Sequence, residues 1–312
     1  MSRTAARSAT RSLLALACAA GLALVPLNPA AAERTDRSEV IALVTGSMPE
    51  GISAGPRDTF FAGARSDGAV YVGNVRNGEL RTLVRGRQGE VAVGLLYDAA
   101  TSRIWVAGGR SGDVTAYDAR SGRLLYTVNA GSGRFLNDVA ITPRAVYVTD
   151  STRAELVVVD LDAAGRPTGS RTLAVSGEYV QPRGFGLNGI RSLPTGDLIA
   201  VSGGVLYRID PRTGVAEVVE QQGRQLTAGD GLTLVGSTLY VVNGYGGNEV
   251  VELRLSGDLE STRVVATLTD GDLDRPTTAA LVAGDLYVVN GRFGTLMTNP
   301  QAPVQVVRVE VP

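Results

Sequence analysis

The chain of 312 residues contains no histidine. That excludes a histidine general base, a Ser-His-Asp triad and a histidine-ligated zinc. It contains one cysteine, Cys18, within a segment read below as a leader. The mature chain is therefore expected to have no disulfide, no thiol nucleophile and no thiolate metal site. Charge of either sign is not in excess: the formal net charge is −1, so neither nucleic acid nor an anionic membrane is expected as a partner. No stretch shows a sustained helical period with caps.

Hydrophobic residues make up 44% of the chain, enough to exclude a disordered polymer. Thirty-nine glycines suit a fold with many tight turns. The length fits one all-β domain. Residues 1–32 read as a secretory signal peptide. Arg3, Arg7 and Arg11 make its basic start, Leu13 to Leu27 its apolar run, and Ala30-Ala31-Ala32 its small-residue cleavage site. The run is short for a membrane anchor and is interrupted by Pro26. Ala15-Leu16-Ala17 before Cys18 does not read as a lipoprotein site. A secreted, extracytoplasmic product beginning at Glu33, free of the membrane once cleaved and monomeric, is expected.

Residues 33–312 carry a repeat. Its copies open at Glu50-Gly51-Ile52, Val93-Gly94-Leu95, Asn137-Asp138-Val139, Asn188-Gly189-Ile190, Asp230-Gly231-Leu232 and Thr277-Thr278-Ala279. The openers lie 43, 44, 51, 42 and 47 residues apart. Each copy continues into short runs rich in Val, Tyr, Leu and Ile, bounded by Gly, Asp, Asn and Ser. Arg103 to Ala107, Asp113 to Asp118 and Asp285 to Asn290 are examples, and Ala119-Arg120-Ser121-Gly122 reads as a hairpin turn. Repeats of this length built of short strands predict a six-bladed β-propeller, an all-β fold with four-stranded antiparallel blades. The segment from Ser38 to Val44 is a candidate outer strand for the last blade. Ala174 to Phe185 is expected to form a loop over a channel mouth, and Thr295 to Pro303 a second long loop.

In such a ring the openers share one place around the central channel. Glu50, Asn137, Asn188 and Asp230 would then converge as hard oxygen donors, suited to one divalent cation: calcium first, with magnesium, manganese or zinc as alternatives. Two carboxylates held close repel, and one keeps a proton unless a cation neutralises them. Each opener alone also reads as a turn residue. Against that, Val93 and Thr277 fill the same slot, so a turn there does not demand Asn or Asp. Phe135, Tyr179, Phe185, Tyr245 and Phe293 lie beside turns, where they either line the mouth or pack between blades. The glycine-rich Gly108-Gly109-Arg110-Ser111-Gly112 and Tyr245-Gly246-Gly247-Asn248 are not read as phosphate loops, because no helix is expected after them.

On Pro49-Glu50-Gly51, Leu136-Asn137-Asp138-Val139, Leu187-Asn188-Gly189-Ile190, Gly229-Asp230-Gly231-Leu232 and Arg275-Pro276-Thr277, the chain resembles the six-bladed family of senescence-marker protein (regucalcin) and gluconolactonase. The resemblance implies that Glu50, Asn188 and Asp230 ligate the cation and that Asn137 completes the site or holds substrate. It implies Asp230 as general base in the hydrolysis of a small lactone or ester. Arg134 and Arg183 are the positional candidates for gripping substrate, with Tyr179 beside them. The first motif departs from the family pattern: it continues as Gly51-Ile52-Ser53, closer to non-enzymatic NHL-type propellers. That departure keeps open a second reading, an extracytoplasmic binding or scaffold propeller without catalysis.

Overall fold

The computed structural model describes residue 37 and residues 39–312. The signal-peptide segment and Cys18 lie outside the described residues. Strand β1 (Val40–Ala42) comes first. β2 (Pro49–Ala54), β3 (Thr59–Ala64), β4 (Val70–Asn74) and β5 (Leu80–Val84) then pair in order as an antiparallel meander. The meander recurs as β6 (Leu95–Asp98), β7 (Arg103–Ala107), β8 (Asp113–Asp118) and β9 (Leu124–Asn129), and again as β10 (Leu136–Ile141), β11 (Ala145–Asp150), β12 (Glu155–Leu161) and β13 (Pro167–Ala174). After the short β14 (Ser176–Gly177) come β15 (Leu187–Ser192), β16 (Leu198–Ser202), β17 (Val205–Ile209) and β18 (Val215–Gln222). β19 (Leu232–Val235), β20 (Thr238–Asn243), β21 (Glu249–Leu255) and β22 (Ser261–Leu268) follow, and then β23 (Pro276–Val282), β24 (Asp285–Asn290) and β25 (Gln305–Val309).

These strands form five sheets rather than separate blades throughout. Four sheets have four strands, and one has nine. The nine-stranded sheet consists of two meanders, β15–β18 and β19–β22, with β14 on its margin. The two join because β18 and β22 pair in parallel from Glu220↔Ser261 to Gln222↔Arg263. β14, inside the segment expected to be a plain loop, pairs in parallel with β18. The last sheet has the order β1-β25-β24-β23. Its outer strand comes from the beginning of the chain, as the sequence suggested, with Val40↔Val307, Ile41↔Val306 and Ala42↔Gln305 in register.

Burial follows strand position. β2 and β10 are buried almost throughout, whereas β5 and β13 are largely exposed. A first strand flanked on both faces by neighbouring sheets has no solvent side, which is why Ile52, Leu136, Leu187 and Ile190 lie fully inside. The first strands touch in a cycle: β2 meets β6 and β23, β10 meets β6 and β15, and β19 meets β15 and β23. Valine and other β-branched side chains fill the layers between sheets. Trp105 is fully buried on β7 and packs edge-on against Tyr126, as a core residue.

Two short helices depart from the all-strand reading. α1 (Gly244–Gly247) follows β20, and α2 (Phe293–Thr298) lies within the long loop after β24. Single turns of this length are too short for any 3.6-residue period to show in the sequence. α1 ends where Asn248 adopts a left-handed backbone, φ 52°, a conformation asparagine tolerates.

Candidate functional site

The repeat openers sit on irregular backbone. Between Pro49↔Ala64 and Ile52↔Ala62, strand β2 spends one residue more than β3, a β-bulge at Glu50-Gly51. The same irregularity falls at Asn137-Asp138, Asn188-Gly189 and Thr277-Thr278. In the other two copies the openers stand just ahead of the named strand. There Val93 and Gly94 both bond Ala107, and Asp230 and Gly231 both bond Val242. Two residues facing one re-aims a side chain out of the alternating pattern. In four copies the slot is therefore bulged strand, not turn, and in the other two it is the bonded lead-in to one.

Backbone contacts run from copy to copy. A Cβ on Gly51 would collide with Val93 and Gly94. Gly94 N–H donates to Asn137 O at 2.7 Å. Ile190 N–H donates to Asp138 Oδ2 at 3.3 Å, and the Thr149 hydroxyl donates to Asn188 O at 2.8 Å. Gly189 N–H donates to Asp230 O at 3.1 Å, and Gly231 N–H to Thr277 O at 2.8 Å. The Thr277 hydroxyl donates to Glu50 O at 2.7 Å, returning to the first copy. Added Cβ atoms at Gly94, Gly189 and Gly231 would likewise strike the next strand's backbone. In these four copies the second residue of the motif is glycine because neighbouring strands approach there with no room for a side chain.

Within this circuit Glu50, Asn137 and Asp230 are buried. Glu50 Oε2, Asn137 Oδ1 and Asp230 Oδ1 have no hydrogen-bond partner. Burial pushes the Glu50 carboxyl well above its ordinary range, and the charges of Asp230 and Asp138 push it further, against the Arg65 guanidinium. Burial pushes Asp230 up to about 7; a hydrogen bond from the Asn188 side chain opposes this, Asp138 adds to it, and Arg65 again opposes. The structure thus brings Glu50, Asp230 and Asn188 into one electrostatic neighbourhood. Asn137 Nδ2 donates to Ser151 Oγ at 2.9 Å, and Ser151 Oγ donates to Leu187 O at 2.6 Å. This chain fixes the amide and leaves its oxygen unused.

That donor set fits a hard divalent cation. Three buried oxygens lack partners, and two carboxylates are pressed toward neutrality, chiefly by burial. Among the described residues no three His, Cys, Asp or Glu side chains form a metal cluster. A cation here would take part of its coordination from the asparagine oxygens.

Two residues of this neighbourhood were not singled out from the sequence. Asp138 stands where four copies carry glycine, and that departure was its signal. Arg191 Nη1 holds its carboxylate at 2.7 Å, with both side chains buried. Arg65 follows the last residue of β3 and has no signal in the repeat. The proposed substrate grips fare differently. Arg134 is buried in ion pairs with Asp150 at 2.9 Å and Glu155 at 2.8 Å, and its Nε donates to Ala130 O. Tyr179 is a core residue, edge-on to Tyr207, with its hydroxyl donating to Gln181 Oε1 at 2.6 Å. Neither is free to hold a ligand. Arg183 lies exposed in the segment before β15.

Of the aromatic residues beside turns, Phe185 and Tyr245 are 55% and 61% exposed, while Tyr179 is packed inside. In an antiparallel meander, the start of the first strand lies beside the end of the second. The loops that follow β3, β7, β20 and β24 therefore share a face with Glu50 and Asp230. These loops carry Arg65, Arg110, Tyr245 and Phe293. A cleft of about 290 Å³, lined in part by Arg85, Arg87, Glu90 and Tyr117, includes none of the four oxygen-bearing openers.

No protein-family model and no curated protein matches the chain. Solved structures do. The major allergen Mala s 1 of Malassezia sympodialis is similar with a TM-score of 0.67 and 17% identity, over 88% of this chain and 96% of that one. The PQQ-bound aldose sugar dehydrogenase of Streptomyces coelicolor is similar at 0.57 and 14%, over 89% and 99%. Streptogramin B lyase is similar at 0.56 and 9%, over 87% and 97%. At these identities the likeness is one of fold, and the chain is an all-β protein of the β-propeller class. The proteins that share the fold include enzymes of unrelated chemistry, so function has to be argued from the site.

Proposed function

We propose that residues 33–312 form one six-bladed propeller, with β15–β18 and β19–β22 as separate blades bridged at their outer strands. We further propose that it is a secreted, divalent-metal-dependent hydrolase of a small lactone or ester, resembling the regucalcin and gluconolactonase family. The observation that carries the reading is the buried pair Glu50 and Asp230, each raised in pKa, beside unpartnered oxygens from the same aligned slot. Glu50, Asn188, Asp230 and Asn137 would hold the cation, calcium first. When bound it would polarise a substrate carbonyl and make water a stronger acid. Asp230, a buried carboxylate that would stand beside the cation, is the group to accept a proton from the attacking water. Asn188 orients that carboxylate, and Ser151 holds the Asn137 amide with its oxygen turned away from the hydroxyl.

Metal analysis of the mature protein, with a panel of lactones and aryl esters assayed with and without chelator, tests the reading. One bound calcium and chelator-sensitive turnover are expected, both lost in Asp230→Ala and Glu50→Gln. Turnover that survives chelation overturns it. The second reading, a non-catalytic binding propeller, is favoured by the commitment of Arg134 and Tyr179 to packing and ion pairs. A protein that binds calcium but turns over no ester or lactone supports that reading.

A further inference from the structure

Three guanidinium groups on the face above Glu50 and Asp230 lie over aromatic rings. The Arg65 guanidinium carbon is 4.6 Å from the Phe293 ring centroid, that of Arg275 is 5.8 Å from Tyr245, and that of Arg110 is 5.8 Å from Phe135. Phe293 and Tyr245 stack on each other with centroids 6.4 Å apart and planes 26° apart. Arg65, Phe293, Tyr245 and Arg275 thus form one continuous stack, drawn from loops of three sheets. None of these three arginines makes an ion pair among the described residues. Others on the same face do: Arg134 with Asp150, Arg224 with Glu249 and Arg292 with Asp274.

A guanidinium carbon held over a ring still leaves N–H donors at the rim of the group, which form a fork matched to a carboxylate. Arg65 is placed for this by the fold. It follows Ala64, which pairs with Pro49, the residue before Glu50. Its charge is felt at Glu50, Asp230 and Tyr245. Gly294 leaves the space that the Arg275 guanidinium fills, so a side chain there would strike it.

We propose that the mouth selects small aromatic carboxylates, with the Arg65 fork holding the carboxylate and the exposed Tyr245 flanking the ring. The proposal rests on the reading of the Glu50–Asp230 centre as the reacting site, and it names the kind of substrate: a lactone or ester that also carries a non-reacting carboxylate on an aromatic body. The carboxylate pair does not repel such a ligand once it holds a proton or a cation, because the arginines then dominate the local charge.

The test is a fluorine NMR titration of the mature protein in calcium, with 4-fluorobenzoate and its neutral counterpart 4-fluorobenzyl alcohol. The expected result is about tenfold tighter binding of the benzoate, the size of one charge-assisted hydrogen-bonded contact. Arg65→Gln should bring the two probes to parity, Tyr245→Leu should weaken both alike, and Arg120→Gln, on the exposed turn between β8 and β9, should leave the ratio unchanged. Melting curves confirm that each variant is folded. Equal binding of the two probes by the parent protein, or an unchanged preference in Arg65→Gln, overturns the proposal. If the preference holds but no ester is hydrolysed, the platform stands and the hydrolase reading falls. If calcium-dependent turnover is found while the probes bind equally, the platform alone falls.

Discussion

Asp230 is the residue on which stability and function pull apart. Its carboxyl is raised from 3.8 to about 7, chiefly by burial. In the ion-free protein, the folded state therefore holds a proton that the unfolded chain has released. A state that binds more protons is favoured at low pH, so stability is lost as pH rises from about 4 to about 7. Glu50 is shifted in the same direction. In chelator, the melting temperature is expected to fall between pH 5 and pH 8. Asp230→Asn, which removes the ionisation, is expected to raise the melting temperature at pH 8 and to abolish any rise on adding calcium. A flat profile in the parent protein would show that the pair is not buried as described. Gly94 is a second residue whose identity follows from geometry. A Cβ there would meet the backbone of Asn137 and Asp138, so Gly94→Ala is expected to cost about 1–3 kcal/mol in urea unfolding, as overpacking does.

At the scale of the element, the strand interiors were legible and the places where strands break rule were not. Runs such as Arg103 to Ala107, Asp113 to Asp118 and Asp285 to Asn290 appear as strands with those bounds. Alternating apolar residues and the turn at Ala119 to Gly122 are local signals. Bulges are not, since the extra residue at Glu50-Gly51 exists only relative to a partner strand. The positions of the openers were visible as a repeat, but the sequence could not tell bulge from turn, because Asn, Asp and Gly serve both. Arg134 and Tyr179 were assigned to substrate by position alone. The partners that claim them, Asp150, Glu155 and Tyr207, lie 16 or more residues away in sequence. Asp138 and Arg191 illustrate the same cross-element dependence, linking β10 to β15 through a buried ion pair. Arg191→Met leaves the Asp138 charge buried without its partner and is expected to cost about 3–5 kcal/mol. Asp138→Asn added to it should recover part of that loss, as measured by denaturant midpoints.

At the scale of the whole molecule, the ring is held by unlike closures. β18 and β22 bridge two meanders, a seam that no periodicity in either strand announces. β1 completes the last sheet, and Arg308 ties it down: its guanidinium donates both to Glu39, the residue before β1, and to Asp285 of β24. Ile41 is 1% exposed within the core shared by the first and last sheets. A chain beginning after residue 43 would lose that burial, about 1.5–3 kcal/mol for Ile41 alone, and would bare the edge of β25. It is expected to unfold at lower urea than the mature chain and to self-associate, as sedimentation would reveal. Unchanged midpoints would show that β1 contributes nothing to closure.

The pairing of β1 with β25 also sets an order of events during synthesis. The earliest described strand to leave the ribosome is the one whose neighbour is translated last. Until Gln305 to Val309 emerge, residues 40–42 have no edge to join, and the nascent protein must carry an unsatisfied β-segment while every other described strand is made.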